Sequence, residues 1–148
     1  MREVKEKTMK SNNNGFNTGD ILKTDNLIYV VKEVLRGRLR LLIATHDVTN
    51  YYYYEHENYT KKAINKWIKD KEMTHYTSKQ ITEYNISVGD LFVTPKNKIS
   101  TVIEIEEKLL SIEWYNHTTA VYERSKCERI LVNHWIEEGK LSLIKVRQ

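Results

Sequence analysis

Three arginines with alternating spacing are the side chains best suited to bind an anion. Arg38 and Arg40 lie two positions apart in a predicted strand, so both project from one face of it, and Arg36 sits at the adjoining turn. Lys32 falls on the neighbouring predicted strand. Because guanidinium groups bind phosphate or carboxylate oxygens in pairs, these four residues predict a site for an anionic ligand.

The same arginines also have a purely structural explanation. A two-residue hairpin turn at Arg36-Gly37 places Glu33 directly opposite Arg40, where the two side chains can form an ordinary cross-strand ion pair. The sequence leaves both interpretations open.

A run of four tyrosines follows the arginines, from Tyr51 to Tyr54. Side chains alternate along a strand, so two rings are expected to face the core and two, Tyr52 and Tyr54, to face outward. Exposed tyrosines near arginines suit stacking on bases or a protein interface. Aromatic cover on a sheet surface is the alternative. Tyr51 aligns with Tyr122 later in the chain, which predicts a structural role for that pair.

Two histidines, His46 and His117, occupy equivalent loop positions after a predicted third strand in each half of the chain. One interpretation is that each imidazole binds ligand at a symmetric site. The other is that each bonds a backbone carbonyl and fixes its loop. Both residues are therefore candidates for ligand binding.

Sequence motifs specific for enzymes are missing. The chain lacks the phosphate-binding GxxxxGK[ST] and GxGxxG loops, the GxSxG nucleophile elbow and the HExxH metal motif. Its five histidines and its one cysteine, Cys127, show no zinc-ligand spacing. We therefore expect a non-enzymatic protein without a metal or cofactor.

Residues 15–80 and 81–148 are two divergent copies of one unit, preceded by a polar arm at residues 1–14 that is expected to be flexible. The aligned residues are Gly19-Asp20 with Gly89-Asp90, Val31 with Val102, Leu39 with Leu110, His46 with His117, Tyr51 with Tyr122, and Trp67 with Trp135. The offset is 70, then 71, then 68 after a deletion placed before the last helix. A doubled unit suggests pseudo-two-fold symmetry, with paired sites or one site at the seam.

Each copy predicts four short antiparallel strands, one helix and a short final strand. The fold class is thus mainly β (α+β), with two tandem units that are SH3-like or partial β-barrels in size and order. Trp67 and Trp135 lie on the apolar stripes of the two helices and are expected to face the core. Ser125 and Glu128 predict a capping box for the second helix.

The charge of the chain gives a mild preference for anionic partners. Its net charge is +4, and it is distributed as +2 in residues 1–14, +3 in the first copy and −1 in the second. No apolar run is long enough for a membrane span, no secretion leader is seen, and the single cysteine excludes an internal disulfide. These features predict a cytoplasmic protein.

The repeated unit, in both copies, resembles small β-rich domains of phage and prophage accessory proteins. The pattern comprises the Gly-Asp strand start, Val102-Ile103-Glu104-Ile105, Ser111-Ile112-Glu113-Trp114, Tyr122, and the run from Val132 to Leu141. The resemblance implies a non-enzymatic protein in the host cytoplasm that binds host macromolecules, nucleic acid or a nucleotide signal of antiviral defence. It implies no particular site residues.

Three functions follow from these observations. The first is a phage-type binding protein that inhibits or sequesters a host defence component, either a nucleotide signal or a protein. The second is a tandem-barrel protein that binds nucleic acid through its basic first copy. The third is a homo-oligomeric interaction scaffold.

Overall fold

The computed structural model describes residues 15–45 and 55–146, with backbone only for Thr45, Glu55 and His56. The arm at residues 1–14 and the candidate site residues His46, Tyr52 and Tyr54 lie outside the described residues, as does Tyr51. The described chain divides into two compact units, one containing residues 15–45 and 55–80 and the other residues 81–146.

The first unit is one antiparallel sheet with a single α-helix. Its elements are β1 (Ile21–Lys23), β2 (Leu27–Leu35), β3 (Arg38–Thr45), β4 (Glu55–Thr60), α1 (Lys61–Lys69) and β5 (Thr74–Tyr76), followed by a short 3₁₀ turn at Ser78–Gln80. The strand order across the sheet is β4-β3-β2-β1-β5. The last strand therefore pairs with the first.

The second unit repeats this architecture. Its elements are β6 (Leu91–Val93), β7 (Ile99–Ile105), β8 (Leu109–Asn116), β9 (Val121–Glu128), α2 (Arg129–Glu137) and β10 (Ser142–Ile144). The order β10-β6-β7-β8-β9 is the order of the first sheet. A mainly β fold with two five-stranded antiparallel sheets and two helices confirms the predicted class. Within the described residues no pairing joins β4 to β5 or β9 to β10, so closure into SH3-like barrels stays a prediction.

Backbone hydrogen bonds show that the two units match in detail. Each second strand contains a β-bulge at the same place, between Val31 and Glu33 in β2 and between Val102 and Glu104 in β7. The first residue of each helix donates its N–H to the preceding hairpin turn, Lys61 to Gly37 O and Arg129 to Lys108 O, both at 2.9 Å. These correspondences assign equivalent positions without reference to side-chain identity.

The fourth strands correct two predictions. The fourth strands, β4 and β9, extend directly into the helices. Tyr59 of β4 pairs with Leu39, as Cys127 of β9 pairs with Leu110, so the offset is already 68 in this strand. The deletion therefore precedes the fourth strand, and by this offset Tyr122 aligns with Tyr54 instead of Tyr51.

Alternating apolar residues of the first sheet and the inner face of α1 form the core of the first unit. The buried members of this cluster are Phe16, Leu22, Tyr29, Val31, Leu39, Leu41, Ile64 and Met73. Trp67 packs against it, with its ring 5.8 Å from that of Tyr59. The prediction of a core role for Trp67 is confirmed.

The second unit has an equivalent core. Its buried apolar side chains include Phe92, Val102, Leu110, Ile112, Leu131, Trp135 and Leu141. Trp135 is 1% exposed, which confirms its predicted core role. Cys127 lies in β9 and is fully buried.

The two helices begin differently. Thr60 caps α1, because its hydroxyl oxygen accepts the Ala63 N–H at 3.1 Å. The predicted capping box of α2 is wrong. Ser125 lies within β9, and Glu128 occupies the N-cap position without a side-chain hydrogen bond to the helix. No helix in the described residues is long and apolar enough to cross a membrane.

Candidate functional site

Three exposed guanidinium groups occur together in the first unit, and we refer to Arg36, Arg38 and Arg40 as the arginine face. Arg36 occupies the turn between β2 and β3, where Gly37 adopts a φ of +79°. Arg38 and Arg40 project from β3 on the side opposite the buried Leu39. The structure thus brings together three of the predicted cationic site residues.

The cross-strand ion pair that competes with this site is not formed. Glu33 lies opposite Arg40 in the register, as predicted. However, no salt bridge joins these two side chains, and none involves Arg36 or Arg38 among the described residues. The three guanidinium groups are thus exposed and without an ion-pair partner among the described residues.

Lys32 does not belong to the arginine face in the way the sequence predicts. It lies at the β-bulge of β2, is half-buried and already has an interaction partner of its own. A bulge changes the direction of side chains along the strand. A role for Lys32 in binding an anion therefore stays a prediction.

The arginine face is specific to the first unit. The equivalent positions in the second unit are Glu107, Leu109 and Ser111, so a site at this place exists in one copy only.

The second unit exposes an aromatic patch instead, formed by Tyr115, His117 and Tyr122. Tyr115 and Tyr122 are cross-strand partners on β8 and β9, and their rings meet edge to face at 5.1 Å. The ring of His117 lies 4.8 Å from that of Tyr115. Tyr122 is 68% exposed and Tyr115 is 40% exposed.

This patch changes the interpretation of two predicted residues. A structural role was expected for Tyr122, but its side chain is largely exposed to solvent. His117 contacts an aromatic ring in place of a backbone carbonyl, and it stays exposed. Tyr115 was missed because only residues shared by the two copies were considered as pairs.

Polar contacts hold the hairpin that carries the aromatic patch. Arg124 donates Nε–H to Glu113 Oε2 at 2.9 Å across β8 and β9. Asn116 donates its amide N–H to Glu123, and its Oδ1 accepts the Thr118 N–H at 2.9 Å. Arg124 is thus paired with Glu113, whereas the Glu123 carboxylate beside the patch is bonded to a neutral amide.

The Gly-Asp motif has a role that the sequence did not reveal. Asp20 is completely buried, and its carboxylate accepts three hydrogen bonds. The donors are the Asn17 N–H at 2.9 Å, the Ser78 N–H at 2.8 Å and His75 Nε2 at 2.8 Å. Asp20 therefore joins the start of the first unit to its final strand and the turn that follows.

Asp90 does the same in the second unit, with a lysine in place of the histidine. It accepts hydrogen bonds from Lys145 Nζ, from the Ser87 N–H at 2.8 Å and from the Val146 N–H at 3.3 Å. Burial acts to raise the pKa of the Asp90 carboxyl, but these hydrogen bonds hold it below its usual value. The motif is a structural anchor in both copies.

The remaining candidates for chemistry are limited. Burial raises the pKa of the Cys127 thiol to about 12, so the reactive thiolate is not populated near neutral pH. Within residues 15–45 and 55–146, no group of three His, Cys, Asp or Glu side chains is arranged to hold a metal ion. What the described chain presents to a partner is therefore a cationic face and an aromatic patch.

Comparison of the chain with protein-family models, with curated proteins and with solved structures finds no match.

Proposed function

We propose that this protein is a non-enzymatic, phage-type binding protein that inhibits or sequesters a component of host antiviral defence. The observation that supports the proposal most directly is the arginine face, whose guanidinium groups are exposed side by side and unpaired within the described chain. In this proposal each sheet curls into an SH3-like partial barrel, an architecture that carries many unrelated binding functions.

The shape of the arginine face favours a macromolecular partner. Arg38 and Arg40 project from the flat side of a sheet, whereas small molecules are usually bound in concave pockets. Arginine is also enriched among the residues that dominate protein interfaces. An acidic surface of a host defence protein therefore fits this face better than a free nucleotide signal.

The aromatic patch provides a second contact surface of a different type. Tyrosine rings bury a large area at low entropic cost and are enriched at protein interfaces. The patch contains no unpaired cation, so it suits an uncharged protein surface. Unequal surfaces on the two units are consistent with one extended protein partner.

The proposal is tested by the double variant Arg38→Ala/Arg40→Ala in cells that carry a defence system and are challenged with a phage sensitive to it. We expect the natural protein to restore plaque formation and the double variant to fail, with an unchanged melting temperature. Lys69→Ala/Lys79→Ala is the matched control, because it removes two exposed positive charges from the same unit, at the end of α1 and in the 3₁₀ turn after β5. Full restoration by the arginine variant contradicts the proposal.

Nucleic acid is the alternative partner for the arginine face, since guanidinium groups also bind phosphates. If three phosphates are contacted, affinity for duplex DNA should fall by about 40-fold between 50 and 200 mM salt, because counterions are released on binding. Fluorescence anisotropy with labelled duplex and single-stranded DNA measures this. Salt-dependent binding that is lost in Arg38→Ala/Arg40→Ala would favour this alternative over a protein target.

A further inference from the structure

We propose that an extended, acidic segment of the partner protein binds the arginine face by pairing with strand β4, as a sixth strand of the first sheet. The inference rests on the proposed function, because it names the kind of element through which the host protein is bound. The site consists of the end of β4, at Asn58 and Thr60, together with the strand arginines Arg38 and Arg40.

Strand β4 forms one edge of the first sheet. Among the described residues it pairs with β3 alone, and β5 lies at the opposite edge. A sheet edge offers backbone N–H and C=O groups to any further strand, so proteins usually protect it with charged side chains, bulges or proline. Addition of a strand to such an edge is a common way in which proteins bind extended peptides.

The backbone of Asn58 points towards this open edge. The N–H of Lys61 donates to Gly37 O at 2.9 Å, so these two residues form a hydrogen-bonded pair between β4 and β3. Bonded and non-bonded pairs alternate along an antiparallel ladder. Asn58 is three positions before Lys61 and lies opposite Arg40, so it belongs to a non-bonded pair. Both its N–H and its C=O are therefore directed away from β3.

The side chains on the arginine side of β4 leave this edge without charged protection. Asn58 and Thr60 are exposed and uncharged, and the Thr60 hydroxyl is occupied by the helix cap. The equivalent of Asn58 in the second unit is Lys126. Lysine on an edge strand opposes the addition of another strand, so the two units differ in what their fourth strands accept.

The second unit also shows how this fold neutralises cations on the same face of the sheet. Arg124 Nε lies 2.9 Å from Glu113 Oε2, and Lys126 Nζ lies 2.8 Å from Glu106 Oε2. In the first unit the position of Glu113 is occupied by Leu42. The cations of the first unit therefore lack the carboxylates that the fold supplies in the second, and a partner can provide them.

The arginine face keeps its positive charge when the nearby carboxylates are counted. Glu33 is exposed opposite Arg40, and three guanidinium groups against this one carboxylate leave two positive charges. Glu57 lies on the other side of the sheet, because it pairs with the buried Leu41, and it accepts a hydrogen bond from the Tyr59 hydroxyl at 2.6 Å. An anionic segment therefore complements the arginine face.

The spacing of the two strand arginines fits an extended chain. Arg38 and Arg40 are separated by about 6.6 Å along β3, which is also the distance between alternate side chains of an added strand. That strand would lie about 10 Å from β3, since strands are about 4.8 Å apart. The short side chains of Asn58 and Thr60 leave room for the guanidinium groups to extend across β4. The added segment therefore carries carboxylates at alternate positions.

The first test uses a capped peptide in which glutamate and valine alternate, added to the full ¹⁵N-labelled chain at low salt. The Asn58 amide hydrogen should exchange with solvent about tenfold or more slowly in the complex, because it gains a ladder hydrogen bond. The Tyr59 amide, which is directed towards β3, is the internal reference and should change little. An unchanged exchange rate at Asn58, or no binding at millimolar peptide, would overturn the proposal.

A second peptide tests the spacing of the carboxylates. It has the same composition, but its glutamates are consecutive, so an extended chain presents them on both faces of the sheet. This peptide should bind more weakly than the alternating one. Equal affinities would show that net charge alone is recognised, and the strand addition would be wrong.

Asn58→Pro and Asn58→Ala are the matched variants. Proline removes the outward N–H without removing a hydrogen bond to β3, and edge strands tolerate it, whereas alanine keeps the N–H. Asn58→Pro should weaken binding of the alternating peptide by about tenfold or more, and Asn58→Ala should change it by less than about twofold. Equal affinities of the two variants would contradict strand addition. If Asn58→Pro does not fold, the exchange rate of Asn58 in the natural protein decides.

The plaque assay separates this inference from the proposed function. Asn58→Pro should fail to restore plaque formation, as Arg38→Ala/Arg40→Ala should. If only the arginine variant fails, the proposed function stands and strand addition is wrong. If the alternating peptide binds but the arginine variant still restores plaques, the proposed function is wrong and the edge of β4 remains a peptide site.

Single-stranded DNA is the competing ligand, since its phosphates can also meet the arginines. DNA does not form a β ladder, so it should leave the exchange rate of Asn58 unchanged and should bind Asn58→Pro and Asn58→Ala equally. DNA that binds the arginine face more tightly than the alternating peptide would assign this face to nucleic acid and overturn the proposal.

Discussion

Asp20 and His75 are joined inside the first unit, with Nε2 of His75 2.8 Å from Oδ2 of a carboxylate that solvent does not reach. The second unit keeps the carboxylate, as Asp90, but its cationic partner is Lys145, which follows β10. The buried carboxylate thus has a histidine partner in one copy and a lysine partner in the other. Because a buried charge is costly without partners, this anchor should govern the stability of each unit.

Replacing the anchor carboxylate should therefore destabilise the fold. Asp20→Asn presents an amide N–H₂ to donors that now contact carboxylate oxygens, so at least one buried hydrogen bond is lost. We expect the free energy of unfolding to fall by about 2–3 kcal/mol, measured by urea denaturation. Asp25→Asn, at an exposed turn, is the control and should change it by less than about 0.5 kcal/mol. Equal effects of the two variants would contradict the anchor role.

The second unit should lose stability in acid through Asp90. Its pKa is lower in the folded protein than in the unfolded chain, so the ionised carboxylate stabilises the fold at neutral pH. That stability should be lost as the pH falls from the ordinary aspartate pKa of about 3.9 towards the lower folded value. The melting temperature from pH 7 to pH 3, followed by the NMR signal of the Trp135 indole, measures the loss.

Lys145→Met is the matched variant for this pH dependence. Without the ammonium group, the folded pKa of Asp90 should rise towards or above its usual value. The variant should be less stable at pH 7 and should lose less stability on acidification. An unchanged acid dependence would show that other carboxyl groups are responsible.

The helix start at Thr60 makes a separate prediction, because its hydroxyl is the side-chain cap of α1. Thr60→Ala should lower the free energy of unfolding by about 1 kcal/mol. Ser125→Ala removes a hydroxyl from exposed β9 and should have an effect within about 0.5 kcal/mol. A larger loss for Ser125→Ala than for Thr60→Ala would restore the capping box that the sequence predicts.

Much of the fold follows from patterns that are local in the sequence. The alternation at Leu39 and Leu41 identifies β3 and its buried face, and a two-residue turn at Arg36-Gly37 fixes the register that places Glu33 opposite Arg40. The helix stripes that contain Trp67 and Trp135 are equally clear. In each case the residues that determine the structure are close to each other in the sequence.

The features that could not be predicted depend on distant partners. The sequence alone suggests only a turn at Asp20. Its hydrogen-bond partners His75 and Ser78 lie 55 and 58 positions further along the chain, so no local pattern indicates them. Tyr122 was matched with Tyr51 by residue type, whereas the offset in the fourth strand is set by pairing with the third.

The different positions of two aromatic side chains in the second unit give the last prediction. Trp135 is buried in the core, so Trp135→Ala should lower the free energy of unfolding by about 3–5 kcal/mol. Tyr122 is 68% exposed and contacts only the edge of Tyr115, so Tyr122→Ala should cost less than about 1 kcal/mol. Urea denaturation of both variants measures the difference, and similar losses would mean that Tyr122 belongs to the core as the sequence predicts. Since Tyr122→Ala should leave the fold intact, a failure of this variant to restore plaque formation would place the aromatic patch in the partner interface.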